Sequence, residues 1–305
     1  MLAGRTRRAH RRDPRRRLPQ RGERPARAGP SLSPTPLALL AAASAAISAL
    51  FTKRMVGEYP ARQLIGPLLG LNSLLVVPAL PFVRQFHWSW QIALLHAASV
   101  IALVASSWCI FELFVHGSAS AVAIGQAMAP IPAVIFTALL LAIPVTWEQT
   151  LAAAIVSLAV LAVLGGSFGE LGPARAIALI FVAACGNGLL IVFTKMLTGR
   201  GLGVPEIYCV RTSIGAAVWI VLAPPRDLPL RALPQLFARS IFQTGYFVLV
   251  ILAVERGSPA TVQTLAATTP LMLLLGTFLV RRHVLPLRLV FASCAVVFGI
   301  ALTAR

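Results

Sequence analysis

From residue 35 onward the chain is a succession of long apolar runs, broken by short clusters of Arg, Pro and Gly. Residues 117–147 carry no charge over 31 positions, and residues 257–280 none over 24. Such runs exceed the roughly 20 residues that a helix needs to cross the hydrocarbon core of a bilayer. They lack the apolar–polar alternation of barrel strands, so helices are the element that satisfies the backbone in lipid. The breaks predict helices at about 35–55, 62–83, 89–115, 117–143, 147–166, 173–197, 205–224, 236–255, 258–280 and 285–304. The seventh and eighth are the weakest in pattern: fourteen uncharged residues separate Arg211 from Arg226, and fifteen separate Arg239 from Glu255.

An internal repeat supports those two. Phe51-Thr52-Lys53 closes the first apolar run, and Phe193-Thr194-Lys195 closes another 142 positions later. His116-Gly117-Ser118 with Val122, Ala127 and Pro130 matches Arg256-Gly257-Ser258 with Val262, Ala267 and Pro270 at an offset of 140. Arg62-Gln63-Leu64-Ile65-Gly66 aligns with Arg211-Thr212-Ser213-Ile214-Gly215 at an offset of 149, which makes helices two and seven equivalent. The chain therefore reads as an all-α membrane protein with ten transmembrane helices in two five-helix repeats, 35–168 and 173–304. Five is odd, so the second repeat must enter the membrane from the opposite side. This is the inverted-topology arrangement of many secondary transporters.

Composition agrees. The chain is 58% hydrophobic and 12% charged, with mean hydropathy +0.83, which excludes a water-soluble domain of this size. The net charge of +18 is unevenly placed: residues 1–30 hold eleven arginines against Asp13 and Glu23, a net +9, leaving +9 for everything else. Residues 1–34 form a Pro- and Gly-rich tail without an apolar face, expected to be disordered. Its charge suits a topology anchor or anionic lipid; nucleic acid is the less favoured partner. The tail argues for cytoplasmic termini. With it inside, the other cations divide ten outside and six inside, Arg239 counted with the former and Arg211 with the latter. The tail outweighs them because the first helix usually dominates. Cys109, Cys185, Cys209 and Cys294 stand singly, without metal or redox spacing, so no metal or cofactor is expected.

Ten helices, the five-helix repeat, the Phe-x-Lys endings of helices one and six, and the Gly-Ser leading to a mid-helix Pro in helices four and nine together resemble one family. The chain resembles EamA-like members of the drug/metabolite transporter superfamily over about residues 35–304. The resemblance implies a bacterial inner-membrane carrier that moves small metabolites or drugs by alternating access, often outward. One departure stands out. Many members have a Gly-Glu-Arg type turn after helices four and nine, where this chain reads Ala142-Ile143-Pro144 and Arg281-Arg282-His283.

Polar residues within spans are costly in lipid, and each asks for a reason. Lys53 and Glu112 fall toward one face, Lys195 and Glu255 toward the other. They read as two alternating gate pairs, or as helix-end charges snorkelling to the interface. Glu112 is also a candidate proton-coupling carboxylate, or a hydrated mouth residue. Asn72, Gln126, Asn187, Gln243 and Gln263, with Trp108, Glu112 and Tyr246, are cavity candidates suited to a zwitterionic or amphipathic solute. Interhelical hydrogen bonding is the alternative for the amides. Pro130 and Pro270 predict matched kinks at mid-span. Trp88 and Trp90 read as interfacial anchors.

No hydrolase, metalloprotease or Walker motif is present, which argues against an enzyme and against direct use of ATP. The expectation is a secondary transporter of small organic solutes, with a small-molecule substrate, lipid around it and a homodimer as a compatible state. The rival is a membrane scaffold or sensor that recruits a partner through its basic tail.

Overall fold

A computed structural model describes residues 33–82, 88–117, 127–164 and 173–273, with a few isolated positions elsewhere. The basic tail, Gln126 and the expected tenth helix lie outside the described residues. Within them the chain is helical, without strands: α1 Pro34–Glu58, α2 Ala61–Val76, α3 Trp90–His116, α4 Pro130–Leu141, α5 Trp147–Leu164, α6 Pro173–Thr198, α7 Val204–Leu222, α8 Leu233–Arg256 and α9 Pro259–Ala266. Among the described residues, six segments are long and apolar enough to cross a membrane: α1, α2 with its continuation to Phe82, α3, α6, α7 and α8 with the turn before it. Helix α4 is apolar but shorter.

Local chemistry sets the boundaries. Prolines open α1, α4, α6 and α9, where a missing N–H costs nothing. Ser89 caps α3 by accepting from the Ile92 amide at 3.3 Å. Glu206 caps α7 by accepting from the Gly203 amide at 2.8 Å. Helix α2 stops at Val76 and tightens into a 3₁₀ turn over Val77–Phe82, because Pro78 and Pro81 remove donors from the ladder. The expected second helix thus keeps its length and changes character.

The expected kinks are helix breaks instead. Pro130 begins α4 after a turn at 127–129, and Pro270 lies just beyond a turn at 267–268 that ends α9. Turns thus precede Pro130 and Pro270 at matched points of the repeat. The departure from the family's Gly-containing turn is also visible: Ala142 closes α4 with φ 51°, in the left-handed region that Gly adopts more cheaply.

The two halves interlock. The most extensive contacts join α1 to α8, α3 to α6 and α2 to α7. Exchanging helices one, two and three with six, seven and eight maps this set onto itself, as a pseudo-twofold axis requires. Contacts at the helix ends fix the sense of each helix. The end of α1 meets the start of α8 through Glu58 and Gln235. The end of α3 meets the start of α6 through Glu112 and Arg175, and Gln63 at the start of α2 bonds Asp227 beyond α7. At the other end, Lys195 of α6 meets the end of α8, and Gly257 touches Pro34 at the start of α1. Helix α6 therefore starts where α1 finishes, and the two run in opposite directions.

Close approach between the halves depends on small residues. A Cβ on Gly186 of α6 would lie 2.8 Å from Ser106 Cβ and 3.0 Å from the Ala102 carbonyl of α3. Large apolar side chains on the periphery, including Leu40, Ile101, Leu139, Phe181 and Val221, are exposed, as lipid-facing residues should be. Trp88, Trp90 and Trp147 are exposed at helix starts, where indole rings anchor at an interface.

Candidate functional site

A cavity of about 80 Å³ lies among α1, α2, α3, α6 and α8, lined by helices of both halves. That volume has room for a few water molecules, at about 30 Å³ each in the liquid. Its polar lining comprises Ser48 and Thr52 of α1, Asn72 of α2, Ser106 and Ser107 of α3, Asn187 of α6, and Arg239, Gln243 and Tyr246 of α8. Phe111, Phe114 and Phe247 supply aromatic surface.

Four sequence candidates meet here: Asn72, Asn187, Gln243 and Tyr246. Asn72 is fully buried, and neither atom of its carboxamide has a hydrogen-bond partner. Gln243 accepts from the Ser48 hydroxyl at 2.7 Å, which ties α8 to α1. The other candidates go elsewhere. Trp108 is 42% exposed and faces outward from α3. Gln263 is buried on α9 and does not line the cavity. Glu112 sits at an open groove at one end of the molecule, with Arg62, Gln63, Arg226 and Asp227.

The gate pairs are not joined. Lys53 donates to the main-chain carbonyl of Phe114 at 2.8 Å, while Glu112 takes Arg175 at 2.7 Å and His116 at 3.8 Å. Lys195 donates to the carbonyls of Val254, Glu255 and Gly257 at 2.8, 3.3 and 3.1 Å; the Glu255 side chain is exposed. The two lysines do the same thing in the two halves. Each lies near the end of its own helix and donates to carbonyls at the negative end of the next helix but one. Main-chain carbonyls win because they are held within reach of the ammonium, and the helix dipole adds to their pull.

The residue between Phe and Lys in the repeated phrase was missed from the sequence. Thr52 donates to the Ser48 carbonyl at 2.8 Å and accepts from Arg239 Nε at 3.1 Å. Thr194 donates to the Leu190 carbonyl at 2.7 Å and accepts from Arg211 Nη2 at 2.9 Å. Both arginines are buried, so neither belongs in a tally of interfacial cations. Arg239 lies about 9 Å along α8 from its first residue, and Arg211 about 10 Å along α7, by helical rise. Arg239 also sits 6.0 Å over the Phe111 ring. The available signal was an arginine inside an otherwise uncharged run, which marks function by default.

A family model described as the EamA-like transporter family matches residues 33–165 and again residues 174–305. The chain belongs to the EamA-like transporter family. It is accordingly a multi-pass membrane transporter of the drug/metabolite type, built as two EamA repeats, with a small-molecule substrate and no enzymatic role. A solved structure titled "Crystal structure of protein" is similar in fold to this EamA-like chain, with a TM-score of 0.67 at 16% identity, covering 89% of this chain and 99% of its own. No curated protein matches.

Proposed function

We propose that this EamA-like protein is a secondary transporter that exports small organic solutes across a bacterial inner membrane by alternating access. Ten spans complete the bundle, the tenth supplied by residues 285–304, and the repeats 35–168 and 173–304 face opposite ways across the bilayer. Both termini lie in the cytoplasm, with the basic tail of residues 1–34 against anionic lipid there. Lipid surrounds the bundle, and a homodimer is compatible with its exposed apolar faces.

The observation that carries this reading is the unpartnered Asn72 amide, buried at a cavity between the halves. A buried polar group without a partner costs roughly 1–3 kcal/mol, so a protein that only had to fold or recruit would do better with leucine. In a carrier such an amide can be met by a solute once the helices around it part. Helices of both halves line the cavity, so a rocking of one half against the other would change which end is open.

The test is solute counterflow with the full-length protein in sealed vesicles. Saturable flux is expected, with loss on Asn72→Leu and retention after removal of residues 1–30. Absence of saturable flux for every solute class, or flux unchanged by Asn72→Leu, would remove the reading.

A further inference from the structure

We propose that the transported solute is a small organic anion, a carboxylate on an apolar body, held by Arg239 in this conformation and by Arg211 in the opposite one. The inference rests on the transport reading above and names its substrate class.

Among the residues lining the cavity, Arg239 is the one charged group. A guanidinium offers five N–H donors. Arg239 gives its Nε to Thr52 and rests one face near Phe111, and no ion pair joins it to a carboxylate among the described residues. Buried charges are normally paired, and an unpaired one inside a membrane is expensive. The remaining fork of donors has the planar geometry that takes a carboxylate in bidentate fashion. The aromatic rings of Phe111, Phe114 and Phe247 suit the solute's apolar body. A solute ammonium, by contrast, finds no acidic side chain in the lining.

The repeated threonine supplies an independent observation, although the arginines themselves are not repeat mates, Arg211 aligning with Arg62. Arg211 is 3% exposed, is held by Thr194 as Arg239 is held by Thr52, and has an Nε without a partner. It too forms no ion pair with a carboxylate among the described residues. Counted along their helices, Arg239 lies toward the end where α1 finishes and Arg211 toward the end where α1 starts. Two cations lacking counter-ions, one toward each end, are what an anion needs when first one face and then the other is open.

The experiment uses full-length protein and three matched panels on the same short aliphatic and phenyl bodies: carboxylates, their neutral amides and their amines. Thermal stabilisation in detergent and counterflow in vesicles are measured for each panel. Carboxylates are expected to be preferred over the matching amides by at least about tenfold, the low end of a charge-assisted hydrogen bond. Arg239→Gln should abolish that preference and Arg239→Lys should keep part of it. The panel comparison is made on the unmodified chain, so it stands even where Arg239→Gln fails to fold. Saturable flux of amides or amines with no preference for carboxylates overturns the anion proposal and leaves the transporter reading intact. Flux of none of the three panels overturns the anion proposal, while the transporter reading falls only when every other solute class also fails.

Discussion

The two repeated lysines can be assigned to helix capping or to gating by measurement. Lys195→Met removes an ammonium that donates to three carbonyls at the end of α8; Lys53→Met removes one that donates to a single carbonyl at the end of α3. Hydrogen bonds to charged groups contribute about 1.5–3 kcal/mol when buried, but these side chains are only half-buried, so the lower part of that range applies. Interaction with the helix terminus adds about 0.3–1 kcal/mol. One bond at the lower end plus the terminus gives about 2 kcal/mol for Lys53→Met, and Lys195→Met, with three acceptors, should cost more. In a chain of this size each kcal/mol lowers Tm by about 2–4 °C. The assay is thermal unfolding of purified full-length protein in detergent. Glu255→Gln and Glu112→Gln are then added singly and in combination with their lysine partners. A cap depends on carbonyls, so the Lys53–Glu112 cycle should be additive within about 0.5 kcal/mol, while Lys195 and Glu255, which lie near enough to attract, should couple weakly. Coupling above about 1 kcal/mol between Lys53 and Glu112 would refute the capping argument and restore the gate.

Three further outcomes follow from single positions. Ala142→Gly relieves a left-handed alanine at the end of α4 and should stabilise by about 1 kcal/mol, read as a higher Tm; no rise would mean that φ 51° is not strained there. Gly186→Ala drives a methyl into Ser106 Cβ and the Ala102 carbonyl and should cost about 1–3 kcal/mol with loss of flux, while Gly57→Ala, where nothing lies within 4 Å, should cost nothing or stabilise slightly. Asn72→Leu replaces an unpartnered amide and should leave Tm unchanged or raise it by the equivalent of about 1 kcal/mol; a clear fall in Tm would make Asn72 structural.

How much of this was legible beforehand depends on what each feature needed. The six spans among the described residues were, because a bilayer forces apolar length, and charge-free runs report that length directly. The repeat was legible because helix ends recur with the same residues. The turns before Pro130 and Pro270 were only half legible: the prolines marked the points, but a proline opening a helix and a proline kinking one look alike in sequence. Among the polar candidates, Asn72, Asn187, Gln243 and Tyr246 share the cavity while Trp108 and Gln263 do not. The apolar runs offer no amphipathic stripe to say which side of a helix faces inward, because lipid and core are equally apolar. Facing is decided by which helices pair, and the pairing of α1 with α8 and of α3 with α6 joins residues more than 60 positions apart, as Glu112 and Arg175 show.

The repeated Phe-Thr-Lys phrase carries two tasks in adjacent residues, and sequence drew attention to only one of them. A lysine is conspicuous in an apolar run, yet both lysines spend their charge on main-chain carbonyls of a neighbouring helix. The threonine beside each is inconspicuous, because a hydroxyl that bonds the carbonyl four residues back is at home in any membrane helix. That back-bond uses the hydroxyl proton and leaves the oxygen lone pairs facing outward as acceptors. An arginine from another helix is thereby oriented without being neutralised. A carboxylate in the same place would orient it better and would also cancel its charge, leaving nothing for an anionic solute to bind. Two threonines, each holding a buried arginine whose charge stays available, keep both ends of the molecule receptive to the same kind of cargo.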